Sequence, residues 1–284
     1  MRTVSATRYV TPLHEGGSLP AIVEADDDGM YVLKFRGAGQ GAKALIAELV
    51  AGEIARALRL PIPEIVLIEL DPDLARTEPD PEIQELIKAS AGMNVALDYL
   101  PGAVMFDALA EKPPAGLASD IVWFDAFVTN VDRTPRNANL LMWHRQLKLI
   151  DHGAALYFHH SWNQYLERAG DPFTRVKDHI LLPFAESLDE SDARLSALAT
   201  PALLENIVAL IPESWLGVDP LHGLRPTFKP VEATGNMQRH FAPGEPEFAT
   251  PQAYRKAYVD YLQLRLQQRH AFVQEAIRAR SQLV

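Results

Sequence analysis

The apolar rhythm of this 284-residue chain changes near residue 100. Up to that point, short runs with the two-residue period of strands alternate with turns and are interrupted by one strong helical stretch. AIVEA (21–25) and MYVLKF (30–35), joined by DDDGM, predict a β-hairpin over 21–35. HEGGSLP (14–20) predicts a tight glycine-containing turn just before it, and EIVLIEL (64–70) and MNVALDYL (93–100) predict two further strands. Between them, 44–60 predicts a helix with Ile46, Val50, Ile54 and Ala57/Leu58 as its apolar stripe, stopped by Pro61 and Pro63. A short helix is expected over 82–89. Past residue 100 the expectation is helical over 117–129, 191–211 and 251–281, with Leu262, Leu266, Phe272 and Ile277 facing inward on the last. One small hairpin, 139–143 with 147–151, interrupts the helices, and 212–250 is expected to be connections. The fold class implied is α+β: a β-rich N-terminal lobe over 1–100 and a mostly helical lobe over 101–284, with YLPGA (99–103) crossing between them. A cleft between two such lobes is a usual ligand position.

Composition narrows the function. Hydrophobic residues make up 48% of the chain, enough for a sizeable core. The formal charge of −10 argues against bulk attraction to nucleic acid or to an anionic membrane. The absence of cysteine excludes disulfides, thiolate nucleophiles and cysteine-rich zinc sites. No run approaches the roughly 20 apolar residues of a membrane span. The opening residues lack the apolar run of a signal peptide, so a cytoplasmic location is expected.

Two segments carry the chemistry: NVDRTPRNANLL (130–141) and LKLIDHG (147–153). Phosphoryl transfer needs a phosphate anchor, oxygen ligands for magnesium, and a carboxylate beside the acceptor hydroxyl. Asp132 can orient that hydroxyl or take its proton. Asn137 and Asp151 offer one neutral and one anionic oxygen, a set that suits magnesium, and Asn139 competes with Asn137 for that part. Arg133 braces the loop or neutralises charge. Lys34, in the strand pattern opposite Leu33 and Phe35, is a candidate phosphate cation, with Glu48 or Glu53 on the following helix to hold it. Gly16, Gly17 and Ser18 could cover phosphates with their backbone N–H groups. Gly37, Gly39 and Gly41 lack the continuation of a P-loop and read as a connector. Any one of these Asp and Asn residues could simply cap a turn. Adjacent His159 and His160 share no helix face and read as packing or surface residues.

These residues resemble the HipA-like kinase family and, more distantly, the phosphatidylinositol kinases and the wider protein-kinase-like fold. The family's catalytic loop has the form Asp-Arg-His-x-x-Asn, followed later by Ile-Asp-x-Gly. Here Asp132-Arg133 opens the loop, Asn137 closes it, and Ile150-Asp151-His152-Gly153 matches the second element. The resemblance implies that Asp132 is the catalytic Asp, that Asn137 and Asp151 are magnesium ligands, and that Lys34 contacts ATP phosphates. It aligns AELVAGEIARALRLPIPE (47–64) with the family's glutamate-bearing helix, which singles out Glu48. It aligns ALDYLPG (96–102) with the hinge, so that backbone near Leu97, Asp98 and Tyr99 holds adenine and Asp98 approaches the ribose. Thr134 stands where the family has His, and His152 where the Asp-Phe-Gly form has Phe. The implied activity is ATP- and magnesium-dependent transfer of a γ-phosphate to a hydroxyl, with a protein Ser or Thr the leading acceptor. A small-molecule or lipid hydroxyl on the same fold, or a non-catalytic nucleotide binder, are the alternatives.

Overall fold

The computed structural model describes residues 1–13, 19–39, 41–217 and 248–283. It shows a β-rich N-terminal lobe followed by a largely helical C-terminal region, the two-lobed kinase-like α+β fold expected. Five strands form a closed barrel: β1 (Thr3–Pro12), β2 (Ala21–Ala25), β3 (Met30–Lys34), β4 (Ile65–Leu70) and β5 (Gly92–Asp98). The order around the barrel is β1-β2-β3-β5-β4, and the ring closes where β1 runs parallel to β4, with Thr3 opposite Leu67 and Ser5 opposite Glu69. The alternation of the strands sends Val4, Val23, Tyr31, Leu33, Val66, Ile68 and Ala96 inward. The helix α2 (Pro81–Ala89) adds Ile83 and Ile87 to that core, and Asp80 caps its first turn.

The helix α1 (Ala42–Ala57) departs from the expected stripe. Every residue from Leu45 to Ala55 is buried, Glu48 and Glu53 included. The reason lies far along the chain: α5 (Pro201–Val208) and the turn at Glu213–Trp215 pack on α1 in addition to β4 and β5. Trp215 donates its indole N–H to the Met93 carbonyl at 3.0 Å. A helix covered all round needs no polar face.

The C-terminal region begins with β6 (Val104–Met105) and α3 (Ala115–Phe127), then the hairpin β7 (Leu140–Trp143) and β8 (Gln146–Leu149). β6 adds to the hairpin as a third strand. The two hairpin turn residues, His144 and Arg145, both have positive φ, as a two-residue turn matching the strand twist requires. The helix expected over 191–211 is two, α4 (Leu188–Leu198) and α5, because Pro201 starts a new helix whose first turn is capped by Thr200. The stretch 251–281 likewise divides into α6 (Pro251–Gln267) and α7 (His270–Ser281). Leu262, Leu266 and Phe272 are buried as expected, and Ile277 is partly buried against the same core. Among the described residues, no helix is long and apolar enough to cross a membrane.

Candidate active site

Strand alternation sets the first side chain. Tyr31 and Leu33 fill the barrel, so Val32 and Lys34 turn outward, into a cleft of about 510 Å³ beneath it. Val32 and Leu97 line the upper side, and Met105, Leu141 and Ile150 come from the C-terminal region. Asp98, Tyr99 and Leu100 line the edge where the chain crosses over, and Lys34, Asn137, Asn139 and Asp151 close the inner end.

Lys34 and Asp151, 117 residues apart, meet here: Nζ lies 2.7 Å from Asp151 Oδ1. Glu48 approaches the same ammonium at 3.9 Å. Glu48 is held instead by the residue after Asp151. Its carboxylate accepts the His152 backbone N–H at 2.9 Å and lies 3.4 Å from His152 Nδ1. His152 is fully buried, edge-on to Phe124. Burial works to lower the Lys34 pKa, but the charges of Glu48 and Asp151 outweigh it and hold the amine charged. At Asp151, burial works upward, and the charge and hydrogen bond of Lys34 overcome it, leaving the carboxyl below its usual range. Asp151 itself adopts the left-handed backbone conformation, φ 54°, a strained choice for a residue with a Cβ and one that concentrates at functional sites.

The loop after α3 supplies the rest. Asp132 Oδ2 accepts the Asn137 amide at 2.7 Å and, more weakly, that of Asn139 at 3.4 Å. Each Asn thus spends its N–H₂ on Asp132. Thr134 and Asn137 bond to each other through their backbones, closing the loop. Burial raises the Asp132 pKa, aided by the nearby charge of Asp151 and opposed by the two Asn amides.

Arg133 takes no part in the cleft surface. Its guanidinium is fully buried and pairs with the equally buried Asp125 of α3, while also donating to the Asn139 carbonyl. His179 Nδ1 accepts the Leu181 N–H, so Nε2 is the protonated nitrogen and donates to Asp125 at 2.9 Å. Asn130 donates to the other Asp125 oxygen. Burial pushes the Asp125 carboxyl up, and Arg133 with His179 drives it well below the normal carboxylate range. Arg133 is therefore a positioning residue, anchoring the loop from beneath. Asp125 and His179 lie 54 positions apart with no motif between them, and neither was legible in the sequence.

At the crossover, the Asp98 and Tyr99 N–H groups are spent inside the barrel, on the carbonyls of Glu64 and Met30. The next amide, that of Leu100, makes no hydrogen bond among the described residues. Gly16, Gly17 and Ser18 lie outside the described residues. Among the described residues no group of three or more His, Asp or Glu converges on a possible metal position. The set beside Lys34 is smaller and mixed, the Asp151 carboxylate with the amides of Asn137 and Asn139. That suits a hard cation that takes only one or two protein ligands and completes its shell with phosphate and water.

Two solved kinases resemble the chain. The crystal structure of the Helicobacter pylori proinflammatory kinase CtkA is similar with a TM-score of 0.51 and 11% identity, covering 99% of each chain. The Golgi casein kinase crystallised with Mn/ADP matches with a TM-score of 0.47 and 10% identity, over 96% of this chain and 74% of that one. At 11% identity the likeness to CtkA speaks to fold alone, and nothing is drawn from the second match. No curated protein matches the sequence significantly. The family model of the HipA-like kinases, by contrast, matches residues 7–244, and with that extent of agreement the chain belongs to the HipA-like kinase family.

Proposed function

We propose that the protein is an ATP- and magnesium-dependent phosphotransferase that delivers the γ-phosphate to a hydroxyl, a protein Ser or Thr in the leading case. The observation that carries this reading is the direct contact of Lys34 with Asp151 across the cleft, beside Asp132 and Asn137. Asp151 and Asn137 would hold magnesium. The bound metal would neutralise phosphate charge during transfer. Lys34 provides the cation for the triphosphate. Glu48, fixed by His152, keeps a second negative charge beside that lysine and so keeps it protonated. Val32, Leu97, Met105 and Leu141 supply the apolar surfaces a purine ring needs. With the Asp98 and Tyr99 amides already engaged, the donor left for the adenine edge is the Leu100 N–H, one residue beyond the expected stretch.

Asp132 acts on the acceptor. The two Asn amides crowd Oδ2, so Oδ1 is the oxygen placed to accept a hydroxyl proton. The test is incubation of purified protein with ATP, magnesium and a cell extract, comparing wild type with Asp132→Ala by mass spectrometry. Phosphorylated protein hydroxyls that depend on Asp132 are the expected result. Labelled small hydroxyl compounds without labelled protein would move the acceptor to a metabolite or lipid. Nucleotide binding with no transfer to anything would leave a non-catalytic nucleotide binder. Asp151→Ala is expected to weaken magnesium-dependent nucleotide binding, and turnover that survives it would overturn the assignment.

A further inference from the structure

We propose that Lys34 and Asp151 latch each other, so that the cleft accepts a divalent cation together with a nucleotide and not before it. This inference rests on the magnesium–nucleotide reading above and concerns the order in which the site fills.

The geometry is unequal. Lys34 Nζ sits 2.7 Å from Asp151 and 3.9 Å from Glu48. Asp151 is thus the true hydrogen-bond partner of the lysine, and one of its two oxygens is already occupied. Before Asp151 can offer its full carboxylate to a cation, Lys34 must release it. With no anion in the cleft, the released lysine has nowhere good to go. Glu48 is 1% exposed and tied to both the backbone and the ring of His152, so it is not free to close the remaining distance. The Lys34 side chain is itself only 13% exposed, so solvent compensates poorly. A lone cation would also be brought up against a fixed positive charge. A triphosphate changes both sides of the exchange: its oxygens take over Lys34, and Asp151 is freed in the same event. Linkage then requires reciprocity, because whatever factor the anion contributes to cation affinity, the cation returns to anion affinity.

The latch is tested on binding alone. Mn²⁺ is titrated into nucleotide-free protein and followed by the electron paramagnetic resonance of the free ion. Lys34→Met is compared with wild type. Because that change strands a buried glutamate, Lys34→Met with Glu48→Gln is compared with Glu48→Gln alone. Circular dichroism verifies that each variant is folded. Removal of the lysine is expected to tighten Mn²⁺ binding by about tenfold or more, the scale of one charge-assisted hydrogen bond, and adding Asp151→Asn is expected to abolish the gain. Equal Mn²⁺ affinity with and without Lys34, while Asp151→Asn still weakens Mn²⁺–ADP binding, overturns the latch and leaves the site assignment standing. If Asp151→Asn also leaves Mn²⁺–ADP binding unchanged, the latch and the proposed function fall together.

Discussion

Asp151 lines the cleft, Asp132 is bonded to the cleft residues Asn137 and Asn139, and their surroundings push the two aspartates in opposite directions. Asp151 is lowered by Lys34, the direction that its proposed part as a cation ligand calls for. Asp132 is raised by burial, the direction that suits the general base proposed above. The expected consequence is an acid limb in the pH profile of kcat lying above the usual carboxylate range of about 4. A profile flat through that region would separate Asp132 from the rate. Stability follows a different carboxylate. Asp125 has a folded pKa far below its unfolded one, so its contribution is complete above about pH 4 and drains away as pH falls toward the folded value. Asp125→Asn leaves Arg133 buried without its counter-charge, at a cost of about 3–5 kcal/mol. In urea titrations across acidic pH, that variant is expected to be weaker at neutral pH and to show a flatter acid slope.

Elements with a local cause were readable in advance. The hairpin over 21–35 and the strands expected at 64–70 and 93–100 follow from alternation and turn residues, the last ending at Asp98, and so does the second hairpin, whose strand stops at Leu149, two residues short of Asp151. So did the outward set of Lys34, which the inward Leu33 dictates. What sequence could not show was decided by distant partners. The full burial of α1 depends on α5 and Trp215, and the anchoring of Arg133 depends on His179. The parallel pairing that closes the barrel joins β1 to β4, more than sixty residues on, and no local pattern marks it. Arg265 on α6 belongs to the same class. Its buried guanidinium donates to the carbonyls of Ala126 and Phe127 at the end of α3, and to those of Ala169 and Asp171. A cation there satisfies the open carbonyls of the helix that leads into the Asp132 loop. Arg265→Met is expected to cost about 3 kcal/mol, read as a fall in thermal midpoint that Arg265→Lys recovers in part.

At the scale of the molecule, the main hydrophobic core disregards the division into lobes. It runs from α1 and β5 through α3 to α6 and α7, while the barrel interior is a second, smaller cluster. One cooperative unfolding transition is therefore expected, with calorimetric and van't Hoff enthalpies in agreement. Trp215→Ala removes both a large buried ring and its bond to Met93, and should cost about 3–5 kcal/mol without splitting that transition. The closed ring of strands carries a last consequence. Many proteins recruit partners or misassemble by lending or borrowing a strand at an unpaired margin. Among the described residues the ring leaves one margin: β1 meets β4 only through Thr3–Ser5, and from Ala6 to Pro12 its sole strand partner is β2. A protein that joins a strand to this half of the molecule therefore has one short seam to use, the side of β1 away from β2 beyond Ser5.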